Sequence, residues 1–272
     1  MVSILKIYKF FLQWLLKLVA RLSPRTIEIE PGTALAFAKD YSVYVLDFLF
    51  FGGSITDKSE RSVKFQAECV AKGLRQLGVQ KCTLVGFSYG GMVGFRMGEM
   101  FPDLVESMVV TGSVMAMTES ITHAGLERIG FSRWADYLLP VSAKGVETLF
   151  QVACYRFPKL PNWFYNEMLH DFNNYRVEKG ELLNALVISD QEFTIPCYQQ
   201  SIHLLWGEND KIIDLATAQN IKRQVEEKAS LEYIEKSGHI ARMERPLVYN
   251  NHLRKILASL SLKYHIYSLC VG

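Results

Sequence analysis

A serine at position 88 stands in the pattern Gly-x-Ser-x-Gly within the stretch LVGFSYGG. Residues 81–85 predict a short buried strand and residues 92–100 predict a helix, so Ser88 lies where a strand turns abruptly into a helix. Such a turn leaves little room for neighbouring side chains, which explains Gly86 and Gly90 on either side. The helix N-terminus also directs partial positive charge towards Ser88. The stretch predicts a serine nucleophile; the alternative is a glycine-rich turn with a structural serine.

A serine hydroxyl is a poor nucleophile until a positioned base removes its proton, and that base needs an acid to orient it. Where a nucleophilic serine lies in such a strand-to-helix turn, the acid and then the histidine follow it along the chain. Of the six histidines, only His239 lies in a glycine-containing loop, KSGHIARMERP, that follows the predicted strand at residues 231–234. Asp210 follows the strand that ends in LLW, and the chain between the two has room for one helix and one strand. We predict His239 as the base and Asp210 as the acid, with Glu208 as the second candidate acid and an Asx turn as the alternative role of Asp210.

Predicted strands and helices alternate along most of the chain. The predicted strands are residues 26–30, 41–46, 81–85, 107–110, 202–206 and 231–234, and the predicted helices are residues 61–77, 92–100, 214–226 and a segment that begins near Pro246. This order predicts an α/β fold, a mainly parallel sheet with helices on both faces. Its ligand site should lie beyond the carboxyl ends of the strands.

Residues 114–198 interrupt this alternation. They are mostly helical by pattern and rich in aromatic side chains. We interpret them either as a helical subdomain with an ordinary core or as a cap whose inner face lines an apolar pocket over Ser88, and the two interpretations are compatible. The predicted divisions of the chain are an N-terminal helix (1–24), a first core part (25–113), the cap (114–198), a second core part (199–260) and a tail (261–272).

Composition excludes several classes of function. The 272 residues carry a formal net charge of +2, which gives no indication of nucleic-acid binding. The five cysteines are scattered without a Cys-x-x-Cys pair, which indicates a reducing compartment. No zinc, EF-hand or phosphate-loop pattern is present in the sequence, so we expect neither a metal nor a cofactor. We expect an intracellular protein, either cytoplasmic or membrane-associated, and organelle targeting remains open.

The first 23 residues, MVSILKIYKFFLQWLLKLVARLS, form a basic amphipathic segment. Lys6, Lys9, Lys17 and Arg21 share one helical face opposite apolar side chains, and the segment contains no acidic residue. Cations at this frequency disfavour a transmembrane span. An interfacial membrane helix, a surface helix packed on its own domain and a cleaved targeting peptide all remain open, so peripheral membrane contact through residues 1–23 is one prediction.

Several motifs in this order resemble the α/β-hydrolase fold family. They are GFSYGG (86–91), LLWGEND (204–210), SGH (237–239), ERP (244–246) and DFLFFGGS (47–54). The last is similar to the subgroup close to monoacylglycerol lipases and meta-cleavage-product hydrolases. The resemblance covers residues 26 to 260 approximately. It implies a serine hydrolase with the triad Ser88, Asp210 and His239 under a helical cap, with the backbone N–H of Tyr89 as an oxyanion donor and without a cofactor.

The sequence departs from the family before residue 47. Family members carry a strand that ends in His-Gly, then a helix, and the loop after His-Gly donates the second oxyanion N–H. No histidine of this chain precedes a glycine, and TALAFAKD is too short for a strand and a helix. We therefore expect the central sheet to lack one strand between residues 41–46 and 81–85, unless those strands pair with each other or TALAF fills the place. Gly52, Gly53 and Ser54 are the candidates for a replacement donor.

Three functions follow as hypotheses. The first is a serine hydrolase that cleaves a small apolar ester, with a rate lowered by the missing oxyanion donor, because such a loss raises a reaction barrier by about 3 kcal/mol. The second is a relative that binds a ligand with little turnover, since fold does not determine function. The third is an inactive truncated product of a variant transcript.

Overall fold

The computed structural model describes residues 41–261 and 268–271. The predicted N-terminal helix (1–24) and the predicted strand at residues 26–30 lie outside the described residues. No helix within residues 41–261 combines the length and the apolar character that crossing a bilayer requires.

The described residues form two parallel sheets. Their strands are β1 (Ser42–Val45), β2 (Cys82–Phe87), β3 (Val105–Thr111), β4 (Met117–Thr118), β5 (Val187–Ile188), β6 (Ser201–Gly207), β7 (Ala229–Ile234) and β8 (Ser268–Val271). The main sheet has the order β1-β8-β2-β3-β6-β7, and β4 pairs with β5 separately. Every pairing in both sheets is parallel. The predicted α/β fold with a mainly parallel sheet is confirmed.

Helices occupy the connections between strands. They are α1 (Val63–Gln76), α2 (Tyr89–Met100), α3 (Glu119–Ile129), α4 (Trp134–Leu138), α5 (Ala143–Ala153), α6 (Asn162–Asn173), α7 (Arg176–Asn184), α8 (Leu215–Val225), α9 (Ala241–Glu244) and α10 (Pro246–Ser261), with a short 3₁₀ helix at Glu226–Lys228. Asp214 caps α8 by accepting a hydrogen bond from the backbone N–H of Thr217 at 2.9 Å, as its position before the helix predicts.

Alternate residues of the strands face opposite sides of the main sheet, because side chains in a strand have a period of two. Leu84 and Leu204 belong to a large core that includes residues of α1, α2 and α8. Their neighbours Val85 and Leu205 face the other side, where α10 covers them. Both faces of the sheet are therefore buried, which is the usual condition of a parallel sheet.

Strand β8 (Ser268–Val271) lies in the interior of the main sheet. β8 lies between β1 and β2, with Leu269 opposite Val43 on one side and Thr83 on the other. Its backbone therefore pairs with both strands that the sequence leaves without a common neighbour.

This position corrects one expectation from the sequence, a sheet one strand short, and it places residues 268–271 of the predicted tail in that sheet. Residues 268–271 fill the place of the absent His-Gly strand. The physical reason is that buried backbone N–H and C=O groups cost about 1–3 kcal/mol each when unpaired. An extended segment satisfies them equally well from any part of the chain, since ladder hydrogen bonds involve no side chain.

Residues 114–198 fold as a mostly helical insertion between β3 and β6. Helices α3 to α7 lie in it, and the pairing of Met117 with Val187 holds its two ends together. Part of the insertion has its own apolar cluster, built on Val146, Phe150 and Tyr165. The predicted helical character of this region is confirmed.

Replacing Leu269 by proline should destabilise the protein, because proline removes the backbone N–H in the middle of a sheet. We expect Leu269→Pro to lower the free energy of unfolding by about 1–3 kcal/mol relative to Leu269→Ala, which keeps that N–H. Urea unfolding followed by circular dichroism measures the difference. Equal stability of the two variants would contradict the central position of β8.

Candidate active site

Ser88 forms the turn between β2 and α2. Its backbone has φ 50° and ψ −117°, a conformation that is strained for a residue with a side chain. Two contacts hold it there: the Ser88 N–H donates to the carbonyl of Thr111 at 2.9 Å, and the hydroxyl of Ser113 donates to the carbonyl of Ser88 at 2.7 Å. Strain maintained by neighbouring contacts is common at functional sites, where it fixes the direction of one side chain.

Two glycines make this turn sterically feasible. A Cβ atom at Gly86 would lie 2.7 Å from the carbonyl oxygen of Gly90, and one at Gly91 would lie 2.5 Å from the Cβ of Ser113. Neither position can therefore carry a side chain without displacing its neighbours. The pattern around Ser88 is explained by close approach of the strand, the helix and the loop after β3.

Asp210 and His239 lie in direct contact. The Nδ1 atom of His239 and the Oδ2 atom of Asp210 are 2.7 Å apart, and both residues are only 5% exposed. Because the carboxylate oxygen accepts the hydrogen bond, the donor is the N–H group at Nδ1 of His239. The lone pair of Nε2 is then free to accept a proton. Glu208, the second candidate acid, is exposed and instead accepts from the backbone N–H of Lys236 at 3.3 Å.

The two oxygens of Asp210 have different partners. Oδ1 accepts hydrogen bonds from the backbone N–H groups of Ile212 at 2.8 Å and Ile213 at 3.0 Å, while Oδ2 faces His239. The Asx turn and the contact with histidine, which the sequence presents as alternatives, therefore occur together. The turn fixes the carboxylate and so fixes the ring that it contacts.

Ser88, Asp210 and His239 follow β2, β6 and β7 at the same edge of the sheet. Phe87 connects the serine turn with the histidine, because its ring centroid lies 4.8 Å from that of His239. Gly112, in the loop after β3, lies between the other two parts: a Cβ there would be 2.8 Å from His239 Nδ1 and 3.3 Å from Asp210 Oδ2. No local sequence pattern marks Gly112 as part of the site, although it follows a predicted strand at this edge.

A cation lies beside the serine turn. The guanidinium carbon of Arg242 is 3.7 Å from the centroid of the Phe87 ring, within the range of a cation–π contact. Phe87 thus has His239 and Arg242 as neighbours. This arrangement joins segments that are distant in the sequence, so no local pattern predicts it.

Aromatic side chains surround the residue after Ser88. The ring of Tyr89 stacks with Phe51 at a centroid distance of 6.0 Å and meets Phe48 edge-on at 5.7 Å. Burial raises the pKa of Tyr89 to about 12, so its hydroxyl stays protonated at neutral pH. As the first residue of α2, Tyr89 has a backbone N–H without an acceptor inside the helix.

The loop at residues 47–54 uses two of its own N–H groups. Gly53 N–H donates to the Asp47 carboxylate at 3.4 Å, and Ser54 N–H donates to the carbonyl of Phe51 at 3.1 Å. Gly52 has φ 53°, and a Cβ there would lie 2.2 Å from the same carboxylate. Two of the three candidate replacement donors therefore already have acceptors within their own loop.

Among the described residues, no three His, Cys, Asp or Glu side chains lie close enough together to hold a metal ion. Hydroxyl, imidazole and carboxylate groups are the reactive side chains that Ser88, His239 and Asp210 bring to this edge.

The fold and the sequence match one family. The main sheet is parallel with the strand order β1-β8-β2-β3-β6-β7, and a strained serine turn lies at the carboxyl ends of its strands. These features are typical of α/β hydrolases. The family model for the alpha/beta hydrolase fold matches residues 28–149. The chain has an α/β-hydrolase fold, as its motifs predict, and the part that matches the family model is less than half of its length.

Solved structures share this fold at low sequence identity. A candidate lipase from Acinetobacter baumannii has a TM-score of 0.75 and 16% identity, with 97% of this chain and 98% of that chain covered. A meta-cleavage product hydrolase from Pseudomonas fluorescens IP01 has a TM-score of 0.68 and 17% identity, with 84% of each chain covered. At these identities the likeness establishes the fold and leaves the substrate open.

The curated relatives that match this chain are longer than it. Epoxide hydrolase 4 from Homo sapiens is 22% identical over 255 residues, and the match covers 79% of this chain and 64% of the human protein. The chain spans less than two thirds of the length of the curated relatives that it matches.

Alanine at Gly112 should disturb the contact between Asp210 and His239, because its Cβ would overlap the imidazole. Gly130 is a matched control: it also has a positive φ, 74° against 56°, but open space around its Cβ. We expect Gly112→Ala to lower the free energy of unfolding by about 1–3 kcal/mol more than Gly130→Ala does, since only the first adds overlap to backbone strain. Urea unfolding of both variants measures this, and equal losses would contradict the close approach.

Proposed function

We propose that this chain is a serine hydrolase that cleaves a small apolar ester through Ser88, His239 and Asp210. The observation that carries the proposal is the 2.7 Å contact between the buried Asp210 and His239. It lies at the same sheet edge as a serine in a strained turn. A contact of this kind orients an imidazole so that its free nitrogen can accept a proton from a nucleophile.

In the proposed reaction each of the three residues has one role. The Ser88 oxygen attacks the carbonyl carbon of the ester while Nε2 of His239 takes its proton. The Asp210 carboxylate stabilises the resulting imidazolium without taking the proton. The imidazolium protonates the leaving alcohol, and an acyl group remains on Ser88. Water then attacks the acyl carbon, gives its proton to His239, and releases the acid and the free serine.

The nucleophile itself favours an ester over an epoxide. A serine oxygen that opened an epoxide would form an ether with the substrate, and water does not cleave ethers under mild conditions. Attack on an ester forms an acyl-enzyme, which water hydrolyses. Serine at position 88 therefore supports acyl transfer for this chain, although its curated relatives carry the name epoxide hydrolase.

The oxyanion would be held by few donors. The backbone N–H of Tyr89, at the start of α2, is the candidate donor on the nucleophile side. Gly53 and Ser54 already donate within their own loop. Loss of one oxyanion donor typically reduces the rate about 100- to 1,000-fold, so we expect slow turnover.

The substrate class follows from the surroundings of the nucleophile. Phe48, Phe51 and Tyr89 form an aromatic group beside the serine turn, which favours an apolar acyl or alcohol part. A small carbonyl compound is consistent with the structural neighbours, which include an esterase and a candidate lipase. Neither a cofactor nor nucleic acid enters the proposed reaction, and membrane contact through residues 1–23 stays a prediction.

A second candidate function is ligand binding with negligible turnover. The observation that favours it is the engagement of the Gly53 and Ser54 N–H groups, which leaves only Tyr89 and Gly52 among the candidate oxyanion donors. An apolar ester that binds wild type and Ser88→Ala with equal affinity, and that neither protein hydrolyses, would support this function over catalysis.

A fluorophosphonate probe should label wild-type protein covalently at Ser88, because it reports an activated serine. Ser88→Ala should show no labelling, and peptide mass mapping should locate the adduct at residue 88. Absence of an adduct in a folded, monodisperse wild-type sample would remove the hydrolase proposal.

Replacing the acid should slow the same reaction. We expect Asp210→Asn to lower the labelling rate about 10³- to 10⁴-fold, because an amide leaves the imidazole in the wrong tautomer. Asp214→Asn is the matched control, since asparagine caps helix α8 as well as aspartate does. The measurement is the labelling rate constant at saturating probe. Similar rates in the two variants would exclude Asp210 from the mechanism.

A further inference from the structure

Glu244 joins two segments of the chain that lie far apart in sequence. It ends α9, shortly after His239, and its carboxylate accepts three backbone hydrogen bonds. Oε2 accepts from Gly238 N–H at 2.6 Å and from Tyr155 N–H at 3.0 Å, and Oε1 accepts from Arg156 N–H at 3.0 Å. One of these donors immediately precedes the candidate base, and the other two belong to the insertion just after α5.

Close packing accompanies these hydrogen bonds. We call residues 153–156 the exit segment, since they begin at the last residue of α5 and continue into the chain after it. A Cβ at Gly238 would lie 2.4 Å from the Ala153 carbonyl oxygen and 2.8 Å from the Tyr155 nitrogen. On the other side of His239, the N–H of Ile240 donates to the same Ala153 carbonyl at 3.4 Å. Both residues that flank His239 therefore contact the exit segment.

A carboxylate is the side chain that suits this position. Three N–H donors converge on its two oxygens, and a charged acceptor strengthens each bond. A glutamine could offer one oxygen and would turn its NH₂ group towards another donor. The charge of Glu244 also reaches Cys154 in the exit segment: burial raises the pKa of that thiol to about 12, and the nearby carboxylate adds to the rise.

We propose that Glu244 is a positioning residue that holds the His239 loop against the exit segment and so keeps the imidazole aligned between Asp210 and Ser88. This inference rests on the proposed function, because it assigns His239 the role of base. Glu244 touches neither substrate nor reacting atoms in this assignment. It acts through the backbone of Gly238.

The connection makes the insertion part of the catalytic machinery. Any displacement of the exit segment moves Tyr155 and Arg156, and the Glu244 carboxylate transmits it to Gly238 and the adjacent His239. Misplacement of a reacting group by about 1 Å can lower a rate about 100-fold. The predicted consequence of loosening Glu244 is a slower chemical step with little change in binding.

The test compares four proteins with the fluorophosphonate probe: wild type, Glu244→Gln, Glu244→Asp and Glu235→Gln. Glu235→Gln is the matched control, because Glu235 is an exposed glutamate in the loop that carries His239. The maximal labelling rate and the probe concentration at half-maximal rate are measured separately. Proton NMR records the low-field signal of the His239 Nδ1 proton, which Asp210→Asn identifies by removing it.

We expect both Glu244 variants to lower the maximal rate about 10- to 100-fold, while the half-maximal concentration stays within about twofold. Their low-field proton signal should weaken or broaden, and Glu235→Gln should match wild type in both readouts. A wild-type rate in Glu244→Asp with a slow Glu244→Gln would overturn the proposal in favour of simple charge stabilisation. A slow rate with an unchanged low-field signal would also overturn it.

A loss of stability in a variant is distinguished from a slower chemical step. Each variant is measured well below its unfolding midpoint, and if Glu244→Gln does not fold, Glu244→Asp decides on the same criteria. Failure of the hydrolase proposal is separable, because it appears as an unlabelled wild type. The NMR comparison of wild type with the Glu244 variants still decides whether Glu244 positions His239.

Discussion

Pairing of the backbone at the centre of the main sheet is the constraint on which the structure depends. β1 and β2 would each present a buried row of unpaired N–H and C=O groups if nothing lay between them, and β8 satisfies both rows. Because β2 ends at Phe87, its alignment sets the direction in which Ser88 leaves the sheet. The candidate active site therefore depends on residues 268–271, although they contribute no side chain to the proposed reaction.

The edge at which the site lies is built by close approach of main chains. Gly86 and Gly91 let the serine turn contact its neighbours, Gly112 leaves space for the His239 ring, and Gly238 presses against the insertion. Packing of this kind is rigid because a Cβ at any of these positions would meet atoms at less than 3 Å. A side chain at Gly112 would overlap the imidazole, so the contact between His239 and Asp210 depends on the absence of a Cβ there.

Features marked by local pattern were predictable from the sequence. The strand-to-helix turn at Ser88 and the cap at Asp214 each depend on a few adjacent residues, and the proximity of Asp210 to His239 follows from one helix and one strand between them. The position of β8 was not predictable in this way, since four residues with strand propensity carry no information about their partner. The contacts of Arg242 and Glu244 were hidden for the same reason: they join segments whose proximity only the folded chain creates.

The contact between Asp210 and His239 forms without the His-Gly strand that the family pattern predicts. The Asp210–His239 contact depends on β6, β7 and the loop after β3, which lie on the far side of β2 from β8. The proposed oxyanion site would lie beside the strand next to β2, and here that strand is β8 instead of one ending in His-Gly. Substitution of a strand restores the hydrogen bonds of the sheet, because backbone pairing needs no particular side chain. In the proposed reaction, stability and transition-state stabilisation are separable, because the first needs backbone pairing and the second needs one donor at one place.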